Sequence, residues 1–197
     1  RARKRLLRLA GLSDATALDD NVVCGNAVVA TDWESRTEPD VRARDRHPTC
    51  PFDWETAFPD VIANGGFEVV LGNPPYLDSE LMARTLPSWR QYCAERYQAA
   101  AGNWDLFCVF VEKAVELCRE GGRHGFVVPN KLASAAYAAG AREVLSRRTQ
   151  LLRVRDYSQV PLFDAHVYPL LYVAKRATAD TRAQVRWERM EPSSRGA

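Results

Sequence analysis

The sequence predicts an α/β domain. Short apolar runs alternate with longer segments whose apolar residues fall at helical spacing. The runs stop at turns built from Asn, Pro and Gly, which places polar loops at strand ends. With 197 residues and 46% apolar content, the chain can bury one real core.

Residues 1–12 are basic, with Leu6, Leu7 and Leu9 apolar, and read as the end of a longer helix closed by Gly11. Residues 21–29, Asn-Val-Val-Cys-Gly-Asn-Ala-Val-Val, read as a buried strand and its exit loop. Residues 31–64 are charged and proline-bearing, with Cys50–Trp54 and Ala57–Pro59 forming a loop pinned by aromatics. A second strand spans 67–71. The polar segment 79–101 contains a helix broken near Pro87. Residues 105–119 read as an amphipathic helix, with Leu106, Phe107, Phe110, Val111, Ala114, Val115, Leu117 and Cys118 at helical spacing. Gly121-Gly122 is expected to end it. A short strand at 125–128, an alanine-rich helix at 134–146 and strands at 151–157 and 167–174 follow. The connection Pro161–His166 is too long for a two-residue hairpin. A further strand is expected at 184–187.

The most informative stretch is Gly72-Asn73-Pro74-Pro75-Tyr76, directly after the second strand. Prolines fix φ and lack an N–H, and residues before a proline are driven into extended backbone. The result is a stiff corner that offers the Asn73 side-chain oxygen and the Pro74 carbonyl as acceptors, followed by the aromatic face of Tyr76. Two acceptors can take both hydrogens of an exocyclic amine, favour a more tetrahedral nitrogen and aim its lone pair outward. Fixing that amine in line with a methyl donor is catalysis by positioning. Acceptors set for the charge developing on nitrogen add electrostatic stabilisation. Tyr76 would stack on the base, worth roughly 1–3 kcal/mol. A base paired within a duplex cannot reach such a corner, so it would have to flip out. The same residues could also form an ordinary strand-to-loop turn.

Composition excludes several classes. No run of about 18 uncharged apolar residues occurs, so no membrane span is expected. The basic N-terminus lacks a signal-peptide core and cleavage site. Residue 1 is Arg, and the chain is expected to start inside a longer reading frame. The five cysteines are widely spaced, with no CxxC pair and no clustering with His47, His124 or His166. They are expected to be buried free thiols in a reducing cytoplasm, with neither a metal site nor disulfides. Net charge is only +2, which does not by itself select a nucleic-acid partner.

The motif Gly72–Tyr76 resembles the catalytic motif of class I amino-methyltransferases that use S-adenosylmethionine. Three further stretches narrow the likeness: the lead-in Gly65–Leu71, the block Asn103-Trp104-Asp105-Leu106-Phe107, and the block Gly121–Lys131. Together they resemble adenine-specific DNA methyltransferases of the type IIG restriction–modification and BREX kind, over roughly residues 21–176. The resemblance implies a partial Rossmann-like fold with a mostly parallel sheet, laid out 3-2-1-4-5-7-6 in the family. Residues 21–24 would be strand 3 and residues 67–71 strand 4.

It also implies roles for particular residues. Asn73 and Pro74 orient the amine, Pro75 stiffens the turn, and Tyr76 stacks on adenine. Asn26 matches a position that contacts the cofactor's adenine, and equally reads as an Asn in a turn. Asp105 matches an acidic position near the cofactor pocket, and equally reads as a helix N-cap. Phe163 could cover the other face of the flipped base, or simply pack in the core. Lys131 is a solvated lysine or a phosphate contact. Leu77-Asp78 stand where relatives often carry a basic residue, which puts a backbone contact there in doubt.

The Gly-rich loop and ribose-binding acid of the family are missing, since no G-x-G segment precedes a helix upstream of Asn73. The expected sheet therefore lacks its first two strands, and the chain is expected to hold the base-binding half of a catalytic domain. Residues 1–20 would be a leading helix from an upstream region, 21–176 the C-terminal part of the catalytic domain, and 177–197 a tail or following region. The implied activity is methyl transfer to the N6 amine of adenine in double-stranded DNA, with a nuclease or target-recognition domain on the same longer chain. Protein glutamine and RNA are rival acceptors with the same chemistry, and a non-catalytic DNA-binding remnant is the rival of a different class.

Overall fold

The structure is a computed structural model that describes residues 21–160, 168–178 and 184–191. Its centre is one five-stranded sheet: β1 (Phe67–Gly72), β2 (Cys118–Pro129), β3 (Thr149–Asp156), β4 (Pro169–Arg176) and β5 (Arg186–Arg189), in spatial order β1-β2-β4-β3-β5. β1 pairs parallel with β2, β4 pairs antiparallel with both β2 and β3, and β5 pairs parallel with β3. Four strands therefore run one way, and β4 is reversed between β2 and β3. The first four strands reproduce the expected 4-5-7-6 layout. β5, beyond residue 176, extends the same sheet.

The short helices α1 (Trp33–Arg36), α2 (Pro39–Arg42), α3 (Trp54–Ala57) and α4 (Pro59–Ala63) precede β1. After it come α5 (Ser79–Thr85), α6 (Pro87–Arg96) and α7 (Leu106–Leu117), and after β2 come α8 (Lys131–Ser134) and α9 (Ala139–Arg148). The break between α5 and α6 falls at Leu86, before Pro87, as a proline requires. Asp105 caps α7 by accepting the Phe107 N–H. The apolar stripe of α7 then packs Phe107, Val111 and Val115 against Phe126, Val128 and Tyr172 of the sheet.

Several boundaries differ from expectation. α7 stops at Leu117, and Gly121-Gly122 lie within β2. The chain is extended already at Cys118, whose neighbourhood pairs with Phe67, so sheet pairing outweighs the turn preference of two glycines. The alanine-rich segment is divided into α8, a 3₁₀ turn at Ala136–Ala138 and α9. Residues 21–24 form no strand, and Val22 and Val23 are exposed. No described strand lies beside them to supply a ladder, and an apolar run without a partner gains nothing from extension. Only an isolated parallel bridge joins Asn26 to Pro51.

The outer edge of β1 is unpaired among the described residues, and Val69 and Leu71 are 55% and 75% exposed. A free edge of this kind is unusual for so apolar a strand. The segment before β1 docks on α6 through a second core that includes Val28, Val29, Trp33, Tyr92 and Trp104. Its polar ties include Tyr97 Oη to the Val28 carbonyl at 2.8 Å and Tyr92 Oη to Asp32 at 2.7 Å. The expected aromatic pin is present: Trp54 packs on Phe52, Phe58 and Phe67, and its Nε1 donates to the Ala27 carbonyl at 3.0 Å. All five cysteines are free, but Cys24 and Cys50 are exposed, because they fall in loops of this segment and not in the core.

Candidate active site

The Asn73-Pro74-Pro75-Tyr76 corner sits at the carboxyl end of β1, where ligand loops of α/β sheets gather. Asn73 and Pro75 are exposed, Pro74 is buried and Tyr76 is half-buried. The corner is thus anchored through Pro74 and Tyr76 while Asn73 faces outward. The Pro74 carbonyl takes no hydrogen bond from the described residues, so both acceptors of the proposed amine site are on hand.

Three attachments hold the corner. The Tyr76 hydroxyl lies 3.1 Å from Asn73 Oδ1 and 3.1 Å from the carbonyl oxygen of Val127 on β2, and donates its one proton between them. The Leu77 N–H donates to Asp105 Oδ1 at 3.1 Å, and the Leu106 N–H donates to the Leu77 carbonyl at 2.9 Å. The Tyr76 ring meets Phe107 edge-on at 6.5 Å, and Phe107 in turn meets Tyr137 at 6.4 Å. Burial, and then the Asp105 carboxylate, push the Tyr76 phenol above its ordinary value, which keeps its hydroxyl a donor. Burial also pushes the Asp105 carboxyl up, against the pull of the Phe107 and Leu77 N–H groups.

One cavity is lined by the corner itself, and a second lies beside the Asp105 cap. The first, of about 210 Å³, is lined by Asn73, Pro74, Pro75, Ala27, Trp54 and Phe110, among others. The second, of about 320 Å³, is lined by Asp78, Glu80, Trp104, Asp105 and Tyr137, among others. Asn26 lies next to Ala27 in the first wall. Its Oδ1 accepts the Val28 N–H at 3.1 Å, while its buried Nδ2 has no partner among the described residues. The turn reading of Asn26 is therefore met by one atom of its amide, and the other is left as an unpaired donor.

The structure thus brings Asn73–Tyr76, the neighbourhood of Asn26 and the Asp105 cap to one end of the sheet. Phe163 lies outside the described residues, as does the expected leading helix at 1–20. Lys131 starts α8, past the carboxyl end of β2, and its side chain makes no hydrogen bond or ion pair to a described residue. Sequence reasoning missed the Val127 carbonyl and the Leu77 peptide as supports. Backbone groups carry no residue-type signal, and only the N-cap pattern at Asp105 hinted at one of them. Among the described residues no His, Cys, Asp and Glu cluster could hold a metal, and no helix is long and apolar enough to cross a membrane.

The strand order with its one reversed strand and the Asn-Pro-Pro-Tyr corner define a class I S-adenosylmethionine-dependent methyltransferase fold, and S-adenosylmethionine is the cofactor that fold implies. The chain belongs to the Eco57I restriction-modification methylase family, whose model matches residues 15–163. It is 24% identical over 147 residues to the type II restriction enzyme and methyltransferase RM.Eco57I of Escherichia coli, covering 75% of this chain and 13% of that protein. It is 30% identical over 115 residues to the type II methyltransferase M.PaeR7I of Pseudomonas aeruginosa, covering 57% of this chain and 19% of that protein. The chain therefore spans less than a fifth of either relative. Among solved structures, the type IIL restriction-modification enzyme MmeI in complex with DNA superposes with a TM-score of 0.52 at 15% identity, over 72% of this chain and 19% of that one. A Listeria monocytogenes protein described as a class I S-adenosylmethionine-dependent methyltransferase superposes with a TM-score of 0.51 at 14% identity, over 66% of this chain and 38% of that one.

Proposed function

We propose that this chain is the amine-binding part of a DNA methyltransferase that modifies the N6 amine of adenine at a specific sequence, within a cytoplasmic restriction–modification or phage-defence system. The observation that carries this reading is the outward-facing Asn73 on a corner held by the buried Pro74, the bonded Tyr76 hydroxyl and the bonded Leu77 N–H. A turn serving only to reverse the chain has no need of such support.

Asn73 Oδ1 and the Pro74 carbonyl accept the two amine hydrogens. The Asn73 oxygen has two lone pairs, so it can hold the Tyr76 hydroxyl and the amine together. The Tyr76 ring offers a face to the flipped adenine while Val127 and Phe107 fix its edge. Both acceptors that face the amine are neutral, so the nitrogen would attack through its lone pair with its hydrogens in place, and the methylated nitrogen would release one proton to solvent afterwards. S-adenosylmethionine, when bound, supplies the electrophilic methyl group. Asn26 Nδ2, a buried donor without a partner beside the cavity wall, suits an acceptor nitrogen on the cofactor's adenine. The Gly-rich cradle for the rest of the cofactor is absent from this sequence. The intact protein would supply it together with target recognition and any nuclease.

The test uses the full-length gene product with radiolabelled cofactor and separate DNA, RNA and protein acceptors. Label in adenine N6 of DNA is expected. Asn73→Ala is expected to lower kcat by about 10³-fold or more with DNA affinity kept within about threefold. Label only in RNA or protein, or full turnover by Asn73→Ala, would overturn the reading.

A further inference from the structure

Asp105 Oδ1 accepts two N–H groups, from Phe107 in its own helix at 3.2 Å and from Leu77 at 3.1 Å. Leu77 is 28 residues away in sequence and directly follows Tyr76. The next residue completes a second bond in the opposite sense, with the Leu106 N–H on the Leu77 carbonyl at 2.9 Å. The residue that follows the corner is thus stapled through both its N–H and its carbonyl to the start of α7. That helix is a firm anchor, because Phe107, Cys108, Val111 and Val115 are fully buried in the main core. Upstream of the staple, the Tyr76 hydroxyl is tied to β2. Tyr76 therefore hangs between two rigid elements, and Asp105 supplies the only side chain among the described residues that bonds the Leu77 N–H.

We propose that Asp105 is a positioning residue for methyl transfer: it fixes the Leu77 peptide to the start of α7 and so sets where Tyr76 and Asn73 stand, without binding the cofactor itself. This assigns Asp105 a different task from the cofactor contact implied by family resemblance, and it rests on the amine-binding reading of the corner. Misplacing a reacting amine by about 1 Å is enough to cost on the order of 10²-fold in rate.

The bond needs a side-chain oxygen that reaches Leu77, and it needs no charge. Asp105→Asn keeps that oxygen. Asp105→Ser keeps a good helix cap but places its oxygen one bond nearer the backbone, out of reach of Leu77. In the intact enzyme, Asp105→Asn is expected to hold kcat within about threefold of wild type. Asp105→Ser is expected to lose about 10–100-fold in kcat, with KM for cofactor and for DNA within about threefold. Hydrogen–deuterium exchange of the peptide spanning Tyr76–Leu81 is expected to quicken in Asp105→Ser and stay slow in Asp105→Asn. This last readout does not depend on the reaction, so it separates failure of the staple from failure of the functional reading, which Asn73→Ala tests. Wild-type turnover by Asp105→Ser would overturn the proposal. So would an Asp105→Asn enzyme tenfold or more impaired, or one whose cofactor affinity falls tenfold, either of which means that the charge acts directly. If Asp105→Ser does not fold, Asp105→Asn still decides by the same limits.

Discussion

The Tyr76 hydroxyl and the Asn73 side-chain oxygen stand 3.1 Å apart, so the residue proposed to carry the base also orients the amide proposed to grip its amine. The two roles of the corner are coupled through one proton, and Val127 competes for it at the same distance.

Removing that proton while keeping the ring separates the roles. Tyr76→Phe is expected to reduce kcat by about 3–10-fold, in line with loss of one hydrogen bond that orients a catalytic amide, with KM for DNA little changed. Tyr76→Ala also deletes the stacking face, worth roughly 1–3 kcal/mol, and is expected to cost a further 10-fold or so. Steady-state kinetics of the intact enzyme check both. Equal losses in the two variants would mean that the ring carries no stacking role.

The start of β1 depends on Gly66, whose φ of +116° lies in the region that favours glycine. A Cβ there would run into the Leu117 carbonyl at the junction of α7 and β2. Gly66→Ala is expected to lower unfolding stability by roughly 2–4 kcal/mol, read from urea denaturation. The same change shifts β1, and with it Asn73, so turnover should fall more than the folded fraction alone explains.

Acid should weaken the fold through His124. The ring is fully buried in β2, meets Tyr172 Oη at 3.3 Å through Nδ1, and has no partner for Nε2 among the described residues. Burial pushes its pKa down to about 4. The unfolded chain takes up a proton near pH 6.5, while the folded ring resists it until about pH 4. Unfolding therefore binds a proton in that window, and stability falls as pH drops through it. A His124→Gln variant should lack this slope, so the wild type is expected to lose on the order of 2–3 kcal/mol more than the variant between pH 7 and pH 4.5. Parallel slopes for the two proteins would count against the assignment.

Local chemistry wrote much of this protein into its chain. Proline geometry dictates the bend at Asn73–Tyr76, and the apolar stripe of α7 dictates which face it buries. Pro87 dictates the break between α5 and α6, and the Asp105 cap follows from residue type. Each of these depends on neighbours within a turn or so, where dihedral preference and periodicity act. The run at 21–24 shows the limit of that information, because an apolar stretch becomes a strand only beside another strand.

The supports of the site come from distant partners. Val127 reaches Tyr76 across 51 residues and Asp105 reaches Leu77 across 28, because β2 lies parallel to β1 and α7 is wedged beneath both. Periodicity specifies that a face is buried but not which surface covers it. Folding had to choose the strand order and its register before Asn73 could stand free on a corner held from either side.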